Sequence, residues 1–287
     1  MDFSLDELQR GVVDAARAFA RGRLAPEASA WDASGAIPES VWSELGELGL
    51  LSICVPEAAG GAGMDALALT LVVEELARAS GAVAWGVVLA AEATGDLSVT
   101  DATPELDALM DGTRLAEACR DAAEGQGRLG LRGLPRGLAR VSAAQPCEPA
   151  HMHRQLGAAA ALVGLADAAT DAALEYARER RQFGRPLAAF QAIQFKLADA
   201  RTGVAAARLL VQRAAASNSR VQASAALAYA SGMAPEACSE SLQIHGGYGY
   251  TTDFPVERQL RDATALTLVA STRAQTRACV TDALLAG

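Results

Sequence analysis

Four arginines crowd one aromatic residue: Arg178, Arg180, Arg181 and Arg185 stand around Phe183. Guanidinium groups pair with phosphate oxygens two at a time and stack on flat rings, so the cluster suits a planar, phosphate-bearing ligand. A helix C-terminus also attracts cations, and by that reading the same residues form a solvated charged corner. The residues alone leave both open. Elsewhere the reactive side chains are scattered. His151, His153 and His245, with Cys54, Cys119, Cys147, Cys238 and Cys279, show no CxxC and no metal-ligand spacing. The cysteines read as small buried hydrophobes of a reducing compartment. Gly60, Gly61 and Gly63 form a glycine-rich loop, but no Lys followed by Ser or Thr stands where a phosphate-cradling loop needs it. That loop reads as a structural turn.

The elements that must position the arginine cluster are two helices joined by a Gly-Arg-Pro turn. Leu162, Leu165, Ala166, Ala169, Ala173 and Tyr176 recur at helical spacing, and Asp167, Asp171 and Glu175 lie four apart on a polar face. Gly184 and Pro186 stop this helix, and a second one continues past Ala200 to Ala216. Upstream, Ser4 and Glu7 read as a capping box, Trp31 to Pro38 as a turn, and Asp65 as the start of a long helix with Glu74, Glu75 and Arg78 outward. Ala82 to Ala91 is almost wholly apolar and should be buried. Between Gly95 and Pro149 glycines and prolines come quickly, which predicts a small, irregular, β-leaning insert. Helices over Val221–Leu242 and from Ala263 onward complete the chain.

Composition narrows the function classes. A chain of 287 residues, rich in alanine and leucine, is mainly helical with ample core. Its formal net charge of −9 argues against a nucleic-acid partner. The acidic N-terminus and the lack of an evident membrane span predict a cytoplasmic protein.

Three stretches in order, RERRQFGRP with FQAIQFKLADA, then QIHGGYGYTTDFPVERQLRDA, resemble the acyl-CoA dehydrogenase family. ELGELGLLSICVPEAAGGAG and LVVEELARAS resemble that family's first helical domain, so the likeness spans nearly all the chain except Gly95 to Pro149. The resemblance implies an N-terminal helical domain (1–94), a reduced middle β region (95–149) and a C-terminal four-helix bundle (150–287). It also implies FAD held across a subunit interface in a dimer of dimers. The family residues that touch a neighbouring subunit's FAD are present here as Arg180, Phe183, Gln191, Gln243, Gly246 and Gly247, with Gln182 at a position that often carries a hydroxyl or amide. No metal is implied.

The departures carry as much information. In this family a glutamate takes the α-proton of the acyl thioester while a hydride leaves the β-carbon for the flavin. Of its two family locations, one corresponds here to Ala270-Ser271 and the other to Arg154. Neither is a carboxylate. Met152 and Gln155 replace a pattern that helps hold CoA, although a one-residue slip would give Arg154 that role. Nothing between Gly95 and Pro149 resembles the segments that wall the flavin ring. The resemblance therefore implies a non-catalytic subunit of a heteromeric (α2β2) enzyme. A full-length partner brings the base, the flavin wall and the CoA pocket, and the suggested substrates are bulky steroid side-chain acyl-CoA thioesters of actinobacteria. An electron-transfer flavoprotein is the implied acceptor.

Three other readings compete. A homo-oligomeric enzyme would draw a relocated base from Glu240, Asp253, Glu257 or Asp262. The fold recruited to other chemistry would use His245, His151 or His153. A scaffold would no longer touch FAD at all.

Overall fold

The computed structural model describes residues 5–96 and 148–286. The expected β-leaning insert and the middle region at 95–149 lie almost wholly outside them. The described residues form α1 (Glu7–Phe19), continued by a π-helical turn (Ala20–Leu24), then α2 (Ala28–Ser34), α3 (Glu39–Glu47), α4 (Ala66–Ala79) and α5 (Gly81–Asp96). After the insert come α6 (Glu148–Glu179), a two-residue hairpin of β1 (Arg181–Gln182) and β2 (Arg185–Pro186), α7 (Gln191–Ser217), α8 (Arg220–His245), α9 (Val256–Val269) and α10 (Arg273–Ala286). The protein is mainly α-helical, as its composition predicts.

Helix α6 is the axis. It packs against α4 and α5 on one side and against α7, α8 and α9 on the other, so the N-terminal helices and the C-terminal bundle share one continuous core. Small residues make this possible. Ala158 to Ala161 are fully buried, and a Cβ added at Gly164 would stand 2.3 Å from the Glu74 carbonyl oxygen. By length and composition Met152–Glu179 is apolar enough to cross a membrane, a feature the sequence reading missed. Here 83% of its most apolar window is buried inside the protein, the behaviour of a core helix.

The charged faces turn inward as well. Asp167 and Asp171, on the polar face of α6 that water or a polar partner could cover, meet polar partners: Arg78 of α4 and Arg201 of α7, while Arg208 bridges Asp167 at 2.9 Å and Glu74 at 2.6 Å. Arg78 and Glu74 are thus not outward-facing residues of α4 but rungs that fix the rotation of three helices. Other local expectations shift too. Ser4 of the expected capping box lies outside the described residues; Asp6 and Gln9 form a capping box, in which Asp6 Oδ1 accepts from the Gln9 amide at 2.7 Å and Gln9 Oε1 from the Asp6 amide at 3.1 Å. Trp31 lies within α2 and packs into the core, and the predicted turn is confined to the residues around Gly35 (φ 73°). The glycine-rich loop is structural: a Cβ at Gly61 would stand 2.2 Å from the Val55 carbonyl oxygen.

Candidate functional site

At the end of α6 the chain turns on Phe183 (φ 50°) and Gly184 (φ 81°), two consecutive positive-φ residues between β1 and β2. That is the backbone of a tight hairpin, and it matches the right-handed twist of the paired strands. Glycine takes such a φ freely and phenylalanine does not, so the Phe183 backbone is held by the hairpin around it. The ring points outward and is 92% exposed. Arg180, Arg181, Gln182 and Gln191 are exposed beside it, and the Arg185 guanidinium stacks on Phe190 at 4.0 Å.

The second segment arrives from the far end of α8. Gln243 is exposed, Gly246 takes φ 62° and ψ −137°, and Gly247 follows in a short 3-10 turn. A small apolar cluster holds it to the first: Ile244 packs with Ala173 and Ala177 of α6 and with Leu187, Ile193 and Leu197. The Arg180 guanidinium lies over the Tyr248 ring at 5.5 Å. All seven residues expected to touch a cofactor thus stand at one end of the bundle, on its surface. Gly246 and Gly247 face open space, since a Cβ added at either would meet nothing within 4 Å, whereas one at Gly249 would stand 2.6 Å from the Leu242 carbonyl oxygen. The face has room for a flat group to approach the glycine backbone, with guanidinium and amide groups at its rim. It is an open edge rather than an enclosed cavity.

The two expected base positions also converge. Ala270 ends α9, and the next residue, Ser271, accepts a 3.5 Å hydrogen bond from Gln155 Nε2. Gln155 Oε1 in turn accepts from the Ser224 hydroxyl at 3.2 Å. Beside them lies Arg154. Its guanidinium meets Glu92 of α5 at 3.2 Å and lies over Trp85 at 5.8 Å. Glu92 is the carboxylate that the sequence reading passed over, at the end of an apolar run and only 1% exposed. A lone acid closing an apolar stretch was the available signal.

The other candidate acids are engaged in pairs or hydrogen bonds, and the His151 side chain lies outside what the structure describes. Glu240 pairs with Lys196, Glu257 with Arg261 at 2.8 Å, and Asp253 accepts from the Thr251 hydroxyl at 3.2 Å. Asp262 is buried against the start of α5, and Arg258, also buried, donates to the Ala79 carbonyl at 3.0 Å. His153 and His245 are both pushed below the ordinary imidazole value by burial. His245 Nδ1 sits 2.8 Å from the Ser241 carbonyl oxygen, which only partly offsets that burial. Burial pushes the thiols of Cys54 and Cys238 up to about 12, so both are inert at neutral pH. No group of three or more metal-ligating side chains occurs among the described residues.

Two family models match this chain, the acyl-CoA dehydrogenase N-terminal domain over residues 6–107 and the acyl-CoA dehydrogenase C-terminal domain over residues 150–285. YngJ of Bacillus subtilis (strain 168), described as a probable acyl-CoA dehydrogenase, is 30% identical over 92% of this chain and 94% of its own length. The chain belongs to the acyl-CoA dehydrogenase family. The alignment with YngJ runs over 357 positions, more than the 287 residues here, so the relative carries a stretch with no counterpart in this chain. The Caffeyl-CoA reductase-Etf complex subunit CarC of Acetobacterium woodii is 45% identical over 123 residues, 41% of this chain and 32% of that protein. A glutaryl-coenzyme A dehydrogenase in complex with glutaryl-CoA has the same fold, with a TM-score of 0.85 at 24% identity, covering 100% of this chain and 97% of that one. The acyl-CoA dehydrogenase fold is thereby established, and the family is one of flavoproteins whose cofactor is FAD.

Proposed function

We propose that this acyl-CoA dehydrogenase family chain is the non-catalytic, FAD-bracing subunit of a heteromeric, cytoplasmic acyl-CoA dehydrogenase. One observation carries the reading. The cofactor-facing residues are kept together on an exposed edge, while both positions expected to hold the base, Ala270 and Arg154, lack a carboxylate. An open edge needs a second surface before it excludes water, and flavin chemistry needs that exclusion. The partner is a full-length family member in an α2β2 tetramer, and the substrate class is a bulky acyl-CoA such as a steroid side-chain thioester. FAD, when bound, would supply the acceptor for the hydride and its two electrons leaving the β-carbon, and the partner would supply the carboxylate for the α-proton, the overall product being the 2,3-enoyl-CoA. This chain's part is to bind and orient. Arg180 would pair with the pyrophosphate, Gln182, Gln191 and Gln243 would offer amide donors and acceptors, Phe183 would cover an apolar edge, and Gly246-Gly247 would let backbone N–H groups come close.

The test is co-expression with a full-length dehydrogenase of the same organism, followed by the FAD content of the purified complex. About one FAD per two chains supports the reading, and Arg180→Ala should then strip most of it, because losing a charge-assisted pair costs roughly 1.5–3 kcal/mol, or tenfold and more in affinity. One FAD per chain in a pure homo-oligomer sinks it.

A second reading, a homo-oligomeric dehydrogenase with a relocated base, is favoured by Glu92, the buried carboxylate beside Arg154 at the convergence of the two base positions. The same ion pair weighs against it, since it engages the Glu92 carboxylate with the Arg154 guanidinium at 3.2 Å. Activity of the purified chain that vanishes in Glu92→Gln would select this reading.

A further inference from the structure

The two cofactor-bracing segments lie some sixty positions apart in sequence, and their mutual placement depends on a chain of rings. Tyr176 at the end of α6 stacks on His245 with centroids 4.4 Å apart and planes 24° apart. Phe254 meets His245 edge-on at 5.0 Å and Tyr176 at 5.4 Å. Tyr248 meets Phe254 at 6.4 Å and carries the Arg180 guanidinium on its other contact. The ring path therefore starts on α6, passes through His245 and returns to Arg180, four residues beyond Tyr176. His245 is its central member. It is 2% exposed, its Nδ1 is fixed at 2.8 Å from the Ser241 carbonyl oxygen, and its Nε2 finds no hydrogen-bond partner among the described residues.

A buried histidine stacked on one ring and met edge-on by another acts here through its flat ring. The residue after it, Gly246, leaves the helix with a backbone conformation only glycine adopts readily, so the direction of the Gly246-Gly247 turn is set by how the end of α8 is seated. We propose that His245 is the positioning residue of the cofactor-bracing face: its ring, wedged between Tyr176 and Phe254, sets the Gln243 to Gly247 segment against Arg180. The proposal rests on the FAD-bracing reading above. An edge-on or stacked aromatic contact adds to burial only when geometry is kept, so an aliphatic side chain of similar bulk fills the space without holding the register.

The experiment uses the complete complex with its partner subunit and FAD itself as the probe. Size-exclusion profile, thermal midpoint, FAD affinity and the visible circular dichroism of the bound flavin are read for His245→Phe, His245→Leu and Arg180→Ala. His245→Leu should assemble normally and hold FAD about tenfold more weakly, with an altered flavin spectrum, the scale expected of a contact set loose by a fraction of an ångström. His245→Phe should restore both. Tyr176→Leu, which breaks the same stack from the other helix, should repeat the loss and serves if His245→Leu fails to assemble. FAD affinity unchanged in His245→Leu while Arg180→Ala loses flavin overturns the positioning role and leaves the bracing reading standing. His245→Phe as weak as His245→Leu also overturns it, by assigning the effect to the ring nitrogens. If Arg180→Ala too keeps its flavin, the bracing reading itself falls.

Discussion

At the scale of single residues, buried histidines give this protein a defined response to acid. His153 and His245 are held below the ordinary value of 6.5, in both cases first by burial, which disfavours the charged ring. A base with a lowered folded-state pKa is protonated earlier in the unfolded chain. Its contribution is therefore complete above about 6.5 and is lost as pH falls from there toward the folded value. The thermal midpoint should drop between pH 7 and pH 5, and less so in His245→Phe, which keeps the ring but cannot titrate. Equal slopes for the two proteins in that window would show that His245 takes no part. The same burial explains why His245 was a poor candidate for acid–base chemistry: its ring, between Tyr176 and Phe254, is shut away from solvent.

At the scale of elements, helix α6 decides how closely everything else approaches. Gly164 sits where α6 crosses α4, and an added methyl group would meet both the Glu74 carbonyl oxygen at 2.3 Å and the Ala77 side chain at 3.0 Å. A carbonyl of a packed helix has nowhere to go, so Gly164→Ala should destabilise by about 1–3 kcal/mol despite alanine's better helix propensity. A lower urea midpoint with an unchanged slope checks it. A neutral result would mean that α4 and α6 are free to part. They are joined besides by the ion network of Glu74, Arg78, Asp167, Asp171, Arg201 and Arg208, in which a shift of one helix breaks pairs on two others. Within it Asp171, which burial raises, is nonetheless held below the usual carboxylate range by hydrogen bonds from Arg78 and Arg201.

At the scale of the whole molecule, large apolar side chains remain in water. Phe195 and Leu209 of α7, Tyr229 of α8, Leu268 of α9 and Leu284 and Leu285 of α10 are all well exposed, in addition to Phe183. So many exposed apolar side chains on the C-terminal bundle fit a subunit that is covered in its assembly. Expressed alone, the chain should associate or precipitate. With its partner it should elute as a mixed tetramer. A clean, stable monomer at tens of micromolar would count heavily against the heteromeric reading.

Much of this was legible before any tertiary structure. The alanine- and leucine-rich periodicity yields the helices, and Phe183-Gly184 before Arg185-Pro186 marks a turn that a helix cannot pass. The order of the arginine, glutamine and Gly-Gly stretches points to the family, and the absence of a carboxylate at Ala270 and Arg154 is visible by counting. Hydrophobic period tells which face of a helix is buried but not which helix covers it. For that reason Arg78 looked outward, and the choice between water and a polar partner for Asp167 and Asp171 stayed open, until α4, α6 and α7 were brought together. The Glu92–Arg154 pair spans 62 positions and the Arg261–Asp32 pair 229, distances over which no local pattern acts. His245 could be read as a variable residue before two glycines. Only the seating of α8 against α6 gave its ring two neighbours and made it a wedge. The sequence by itself determined the helical elements, the family and the absence of a carboxylate at Ala270 and Arg154. The tertiary structure alone decided which charges neutralise each other and which side chains bring Arg180 and the Gln243 to Gly247 segment together, because those depend on the rotation and approach of helices far apart in the chain.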